Sequence, residues 1–187
     1  MPLADCLNCG TCEWCIERSI AYAESDHAGR PLLYCPPDAD EARAVWRANC
    51  GPIALAALLG RPVMGVREFF PRFPKQPWTN PTHMKAALDL AGRRHRTTTT
   101  KVPLALWFIQ WDGPWLAPGV PVTVAYRHTH WIAAARGLVY DANAGEWITR
   151  AEWEAEVVPH LLSYRQQATG WRVRTGIEVL PEANPDG

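Results

Sequence analysis

The chain has 187 residues, of which 48% are hydrophobic, with 10 tryptophans and with 19 basic residues balanced by 19 acidic ones. That length suits one domain with a small appendage, and the apolar content supplies a core, which excludes disorder over most of the chain. A net charge of zero excludes the broad basic or acidic surface that a nucleic acid or an anionic membrane face would need.

The sequence opens Met1-Pro2-Leu3-Ala4-Asp5-Cys6, with no basic stretch leading into an apolar run. The longest apolar stretches, Ile53–Leu59 and Leu104–Ile109, fall far short of the ~20 residues that a membrane helix needs. The expected setting is the cytoplasm, with no membrane and no nucleic acid as partner. In that setting the six cysteines are read as thiols or metal ligands rather than disulfides.

Five of the six cysteines fall within residues 1–37, read as a small Cys-rich metal-binding module that closes with Cys35-Pro36-Pro37. Cys6, Cys9, Cys12 and Cys15 stand at a strict spacing of three, with His27 and Cys35 further on. Cys6-Leu7-Asn8-Cys9-Gly10 resembles a zinc knuckle, and a tetrahedral zinc ion takes four such ligands. The expected cofactor is structural zinc bound by a set drawn from Cys6, Cys9, Cys12, Cys15 and Cys35. The alternative is a 4Fe-4S cluster, because Cys6, Cys9 and Cys12 with a remote Cys35-Pro36 are similar to bacterial ferredoxin ligation. Zinc is preferred since nothing else here suggests electron transfer.

Residues 38–187 are read as the main domain. Asp38 or Asp40 caps a first helix through Glu41, Val45 and Trp46. Asn49 caps a second, with Pro52 in its first turn and a stop at Gly60. This second helix is apolar on every side, so it is expected to be buried. A short helix near Val63–Phe70 follows, and another begins at Thr79-Asn80-Pro81 and ends at Gly92. The basic run Arg93, Arg94, His95, Arg96 reads as a solvated turn, and Thr97–Thr100 as a strand. Strands are expected over Pro121–Arg127, Thr129–Arg136, Leu138–Ala142, Glu146–Ile148 and Gly170–Leu180. Thr149 with Glu152 makes a capping box for a helix through Val158. Helices followed by an antiparallel run give an α+β fold.

Asn49-Cys50-Gly51-Pro52 puts a cysteine at a helix N-terminus, where unpaired N–H groups and the helix dipole favour thiolate. Thiolate is the form that attacks a carbonyl carbon, and Gly51 leaves room for a substrate. In Arg127-His128-Thr129-His130-Trp131-Ile132, read as a strand, His128 and His130 share a face, and His130 is the candidate base. On the next strand Asp141 is the candidate for holding its tautomer, with Asn143 in reserve. Trp46, Trp107, Trp111, Trp115 and Trp131 are candidates for cleft walls or core.

These residues carry a resemblance. Asn49-Cys50-Gly51-Pro52 with the small-residue helix behind it, then His130-Trp131 and Val139-Tyr140-Asp141, resembles the bacteriocin-processing (double-glycine leader) peptidases within the papain-like superfamily. It covers roughly residues 43–160 and extends to small phage-encoded peptidase-like proteins through Ile109-Gln110-Trp111-Asp112-Gly113-Pro114-Trp115. The resemblance implies a papain-like core of N-terminal helices and antiparallel sheet. It also implies a Cys50-His130-Asp141 triad cleaving a peptide or amide bond, a peptide or protein substrate, and a phage or host protein partner, with a virion-associated location as an option.

The superfamily places an oxyanion-binding Gln six residues before the nucleophile, where this chain has Ala44. Asn49, Asn80 and Gln110 are the substitutes, Gln110 being preferred. Two other readings stay open. One is a catalytically weak or inactive papain-like module with a structural or binding role, for example in a phage particle. The other is acyl or glutaminyl transfer by the same residues.

Overall fold

A computed structural model describes residues 33–73, 75–99, 102, 104–165 and 167–180. Cys6, Cys9, Cys12, Cys15 and His27 lie outside the described residues, so the proposed metal module falls largely there. Cys35 is described and carries an exposed free thiol. Among the described residues no group of three or more His, Cys, Asp or Glu is arranged to hold a metal, and no helix is long and apolar enough to cross a membrane.

The fold is α+β. Helices α1 (Ala39–Trp46), α2 (Cys50–Leu59) and α3 (Pro81–Leu90) come first, with a 3-10 helix at Met64–Phe69. The strands are β1 (His95–Thr98), β2 (Leu104–Asp112), β3 (Thr129–Ala135), β4 (Leu138–Asp141), β5 (Glu146–Thr149) and β6 (Gly170–Val179). They form one sheet in the order β1-β6-β2-β3-β4-β5, antiparallel at every pairing. The final strand thus inserts between the first two.

The sheet is covered on both sides. Leu106 and Phe108 of β2, with Trp131, Ala133 and Ala135 of β3, join the core built on α2. The alternate residues Ala105, Trp107, Ile109, Trp111, Ile132 and Ala134 pack with Trp153 and Val158 of the C-terminal helix. Helix α2 is buried from Gly51 to Leu59, between the sheet and Trp46, Val66, Phe70, Met84 and Leu88. Burying Ile53, Leu55, Leu58 and Leu59 contributes about 1.5–3 kcal/mol each. Packing of this kind, rather than propensity, holds a ten-residue helix.

The chain passes from α1 to α2 in three residues. Arg47 takes the left-handed conformation (φ 65°) and ends α1, its N–H donating to the Arg43 carbonyl at 3.1 Å. Asn49 is extended, and its side-chain oxygen accepts from the Gly51 N–H at 3.2 Å, so α2 starts at Cys50. Asp38 anchors the other end of this unit by accepting from the Val63 and Met64 N–H groups, each at 2.8 Å.

Three expected elements differ. Pro121–Arg127 is helical, with an α-turn at Val122–Ala125 and a 3-10 turn at Tyr126–His128. The Gln110 side-chain amide donates to the Ala125 and His128 carbonyls at 3.2 and 2.9 Å, satisfying acceptors that a helix end leaves open. Consequently β3 begins at Thr129, and His128 stacks on Trp115 (ring centroids 3.6 Å apart) instead of sharing a strand face with His130. The capping box at Thr149 and Glu152 forms as expected. The helix it starts runs past Val158 to Tyr164, through a π-helical stretch at Trp153–Val157.

Candidate active site

Cys50 is the first residue of α2, so its N–H has no carbonyl to meet within the helix. Gly51 follows because nothing larger fits. A Cβ there would lie 2.1 Å from the Thr79 hydroxyl oxygen, so the glycine makes room for the Thr79 strand of chain rather than for substrate. The Trp131 indole N–H donates to the Thr79 carbonyl at 3.3 Å, fixing that segment against β3.

β3 brings its second residue, His130, to the Cys50 sulfur. The two side chains are hydrogen-bonded, and the sulfur also accepts the Trp131 backbone N–H. The Nε2 atom of His130 lies 2.9 Å from Oδ2 of Asp141, the last residue of β4, which leaves Nδ1 for the sulfur. His130 is 5% exposed and Asp141 is fully buried.

The Asp141 carboxylate accepts four hydrogen bonds. Oδ2 takes His130 and the Trp153 indole N–H, the latter at 2.8 Å. Oδ1 takes the Asn143 backbone N–H and side-chain amide, each at 2.8 Å. Asn143, held in reserve as the orienting group, instead braces Asp141 from the turn after β4.

The charges follow from this geometry. For Cys50, burial favours the neutral thiol. The His130 charge and hydrogen bond, with the Trp131 N–H, outweigh burial and lower the pKa below that of an ordinary cysteine. For His130, burial works against the cation, but the Asp141 carboxylate and the Cys50 sulfur push its pKa up to about 10. For Asp141, burial is likewise overcome by His130 and the surrounding donors, and its pKa falls to about 2. These shifts all favour the ionised forms, with thiolate, imidazolium and carboxylate in a row.

The sulfur opens onto a cleft of about 530 Å³ lined by Asn49, Trp78, Thr79, Asn80, Thr123, Tyr126, Arg127, Thr129 and Trp131. Trp131 alone of the five candidate tryptophans lines it. Trp46, Trp107, Trp111 and Trp115 are core. Trp78, 52% exposed, supplies the other indole wall.

The oxyanion candidates separate. Gln110 lies apart from this cleft, 1% exposed, with its amide donating to backbone carbonyls and its oxygen accepting from Arg174 at 3.2 Å. Asn49 lines the cleft, but its amide donates to the Pro77 carbonyl at 2.7 Å while its oxygen caps α2. Asn80 caps α3 through its oxygen, which accepts from the His83 N–H at 2.9 Å. Among the described residues the Asn80 NH2 has no acceptor, and Asn80 lines the same cleft as Cys50. Position 44 is an exposed alanine on α1.

Trp153 was not legible as a site residue. The capping box locates the start of its helix, but the π-helical stretch that begins at Trp153 has no signature in hydrophobic period, and such stretches recur at functional sites. Replacing Trp153 by Phe keeps an aromatic ring and removes one of two donors on Asp141 Oδ2. A hydrogen bond to a charged group is worth roughly 1.5–3 kcal/mol. Calorimetry is therefore expected to show a loss of about 2 kcal/mol.

No protein-family model matches the chain, and neither a curated protein nor a solved structure is similar to it. Fold and site together describe an α+β chain in which a helix-N-terminal cysteine, a buried histidine and a buried aspartate meet beside an open cleft.

Proposed function

We propose that this chain is a papain-like thiol hydrolase, a cysteine peptidase or amidase that cleaves a peptide or amide bond through Cys50, His130 and Asp141. The observation that carries the reading is the continuous line from the Cys50 sulfur through the His130 ring to the fully buried Asp141 carboxylate. The Cys50 thiolate attacks the carbonyl carbon of the substrate, forming a C–S bond and pushing the carbonyl π electrons onto oxygen. The Cys50 N–H and the Asn80 amide stabilise that oxygen. As the C–N bond breaks, His130 gives its Nδ1 proton to the departing amine, leaving a thioester. A water molecule then gives one proton to His130 as its oxygen attacks the thioester. Collapse releases the carboxylic acid and regenerates thiolate and imidazolium.

Asn80→Ala is expected to lower kcat by ~10²-fold, the usual cost of one oxyanion donor. Alkylation of Cys50 by iodoacetamide, which builds no oxyanion, is expected to change little. Equal losses in both measurements would assign Asn80 to the scaffold. The hydrolase reading itself is tested by screening peptide and amide substrates with wild type against Cys50→Ser. Turnover lost in the variant supports it, and turnover retained contradicts it.

A second reading is a catalytically weak or inactive papain-like module with a structural or binding role, for example in a phage particle. Ala44 favours it, because the resembling peptidases carry glutamine there. The Asn80 amide, which lines the cleft with Cys50 and has no acceptor among the described residues, is the observation that weighs for activity.

A further inference from the structure

We infer that the cleft recognises a carboxylate beside the bond that is cleaved, and that Arg127 is the residue that reads it. The inference rests on the thiol-hydrolase reading above. Arg127 sits on the Tyr126–His128 turn immediately before β3, is exposed, and lines the cleft together with Cys50. Four arginines elsewhere in the fold have acidic partners. Arg43 pairs with Asp40, Arg96 with Glu178, Arg150 with Glu154 and Arg172 with Asp112. Among the described residues Arg127 has no such partner, and no Asp or Glu lines the cleft.

A second guanidinium lies outside the cleft lining. Arg165 sits over the Trp111 ring at 5.5 Å, and His130 is another neighbour of that ring, with centroids 6.1 Å apart. The Cys50 charge is felt at Arg165, and both Arg127 and Arg165 disfavour a proton on His128. The Cys50 thiolate and the His130 imidazolium offset each other and the Asp141 carboxylate leaves the site one negative charge, which is fewer than the two guanidinium charges of Arg127 and Arg165. A planar guanidinium with free donors suits a carboxylate, which it can hold with two parallel hydrogen bonds. The substrate class is therefore a peptide or amide with an acidic side chain or a free chain terminus next to the scissile bond.

Iodoacetate and iodoacetamide test this, since each alkylates a thiolate by displacing iodide to give a thioether and only the first carries a carboxylate. Rates are read at the Cys50 peptide by mass spectrometry, on the full chain at low salt, for wild type, Arg127→Ala and Arg127→Lys. The ratio of iodoacetate to iodoacetamide rate is expected to fall about tenfold in Arg127→Ala, and Arg127→Lys to recover most of it. A ratio equal in wild type and Arg127→Ala overturns the inference while leaving the hydrolase reading intact. A Cys50 that reacts with iodoacetamide no faster than an ordinary thiol overturns both. Protection of Cys50 by N-acetylaspartate α-amide supports an acidic side chain as the carboxylate, and protection by N-acetylalanine a chain terminus. Protection by neither overturns the inference.

Discussion

Cys50→Ala is expected to abolish hydrolysis, lowering kcat by at least ~10⁴-fold, the range seen when one member of a nucleophile–base unit is removed. The fold should survive, because the sulfur is a small part of a helix whose other residues are packed against the sheet and α3. The variant should be modestly less stable, since it removes a thiolate that His130 and the Trp131 N–H favour more than burial opposes. Residual turnover is measured against the same preparation treated with iodoacetamide, and circular dichroism checks that the structure is unchanged. Cys50→Ser should be equally inactive. Its hydroxyl stays protonated beside His130, and the site as built relies on an acidic sulfur.

Asp141→Asn is the second large effect, and it acts on both activity and stability. The amide has one NH2 to place where the carboxylate accepted four donors. Either His130 and the Trp153 indole or the two Asn143 groups then meet a donor, and His130 is left as a buried charge without its counterion. Breaking a buried pair by removing one partner costs about 3–5 kcal/mol. The His130 tautomer is no longer held, which lowers kcat by ~10³–10⁴-fold by analogy with other triads. The pH dependence of the stability loss is set by the two shifts. Asp141 has a folded pKa of about 2, below its unfolded value, so its contribution is present above pH ~4 and disappears as pH falls through about 2. His130 has a folded pKa of about 10, above its unfolded value, so its contribution is full below pH ~6.5 and is lost as pH rises through about 10. The difference in thermal midpoint between wild type and Asp141→Asn should therefore be widest between about pH 4 and 6.5 and narrow toward pH 2.

The helical half of this fold was legible because its signals are local. The Asn49 cap, the helix start at Thr79-Asn80-Pro81, the Gly60 stop and the Thr149–Glu152 box each act within one turn, and all occur where expected. The central strand β2 was not. Leu104–Asp112 is buried on both faces from Ala105 to Trp111, so it lacks the polar alternation by which a half-buried strand is recognised. The segment at 121–127 misled for the opposite reason. Its β-branched residues favour a strand, but Gln110 reaches from β2 to satisfy the Ala125 and His128 carbonyls, a contact between residues 15 and 18 positions apart. That long-range contact also takes Gln110 out of the cleft.

Of the site, Cys50, His130 and Asp141 were read from the cap, the strand and the adjacent strand, and the structure brings these three together. Trp153 and Arg127 were missed. The first depends on a π-helical stretch and the second on which face of a helical turn opens onto the cleft, and neither leaves a periodic trace in the sequence.

The central claim is that Cys50 rests as a thiolate against a protonated His130. Thiolate absorbs near 240 nm, so the difference in absorbance between wild type and Cys50→Ser, followed across pH, measures the charge on this one sulfur. The difference is expected to be fully present at neutral pH and to be lost only well below the range in which an ordinary thiol titrates. A difference that is absent at neutral pH and appears only above about pH 8.5, as for a free cysteine, would contradict it.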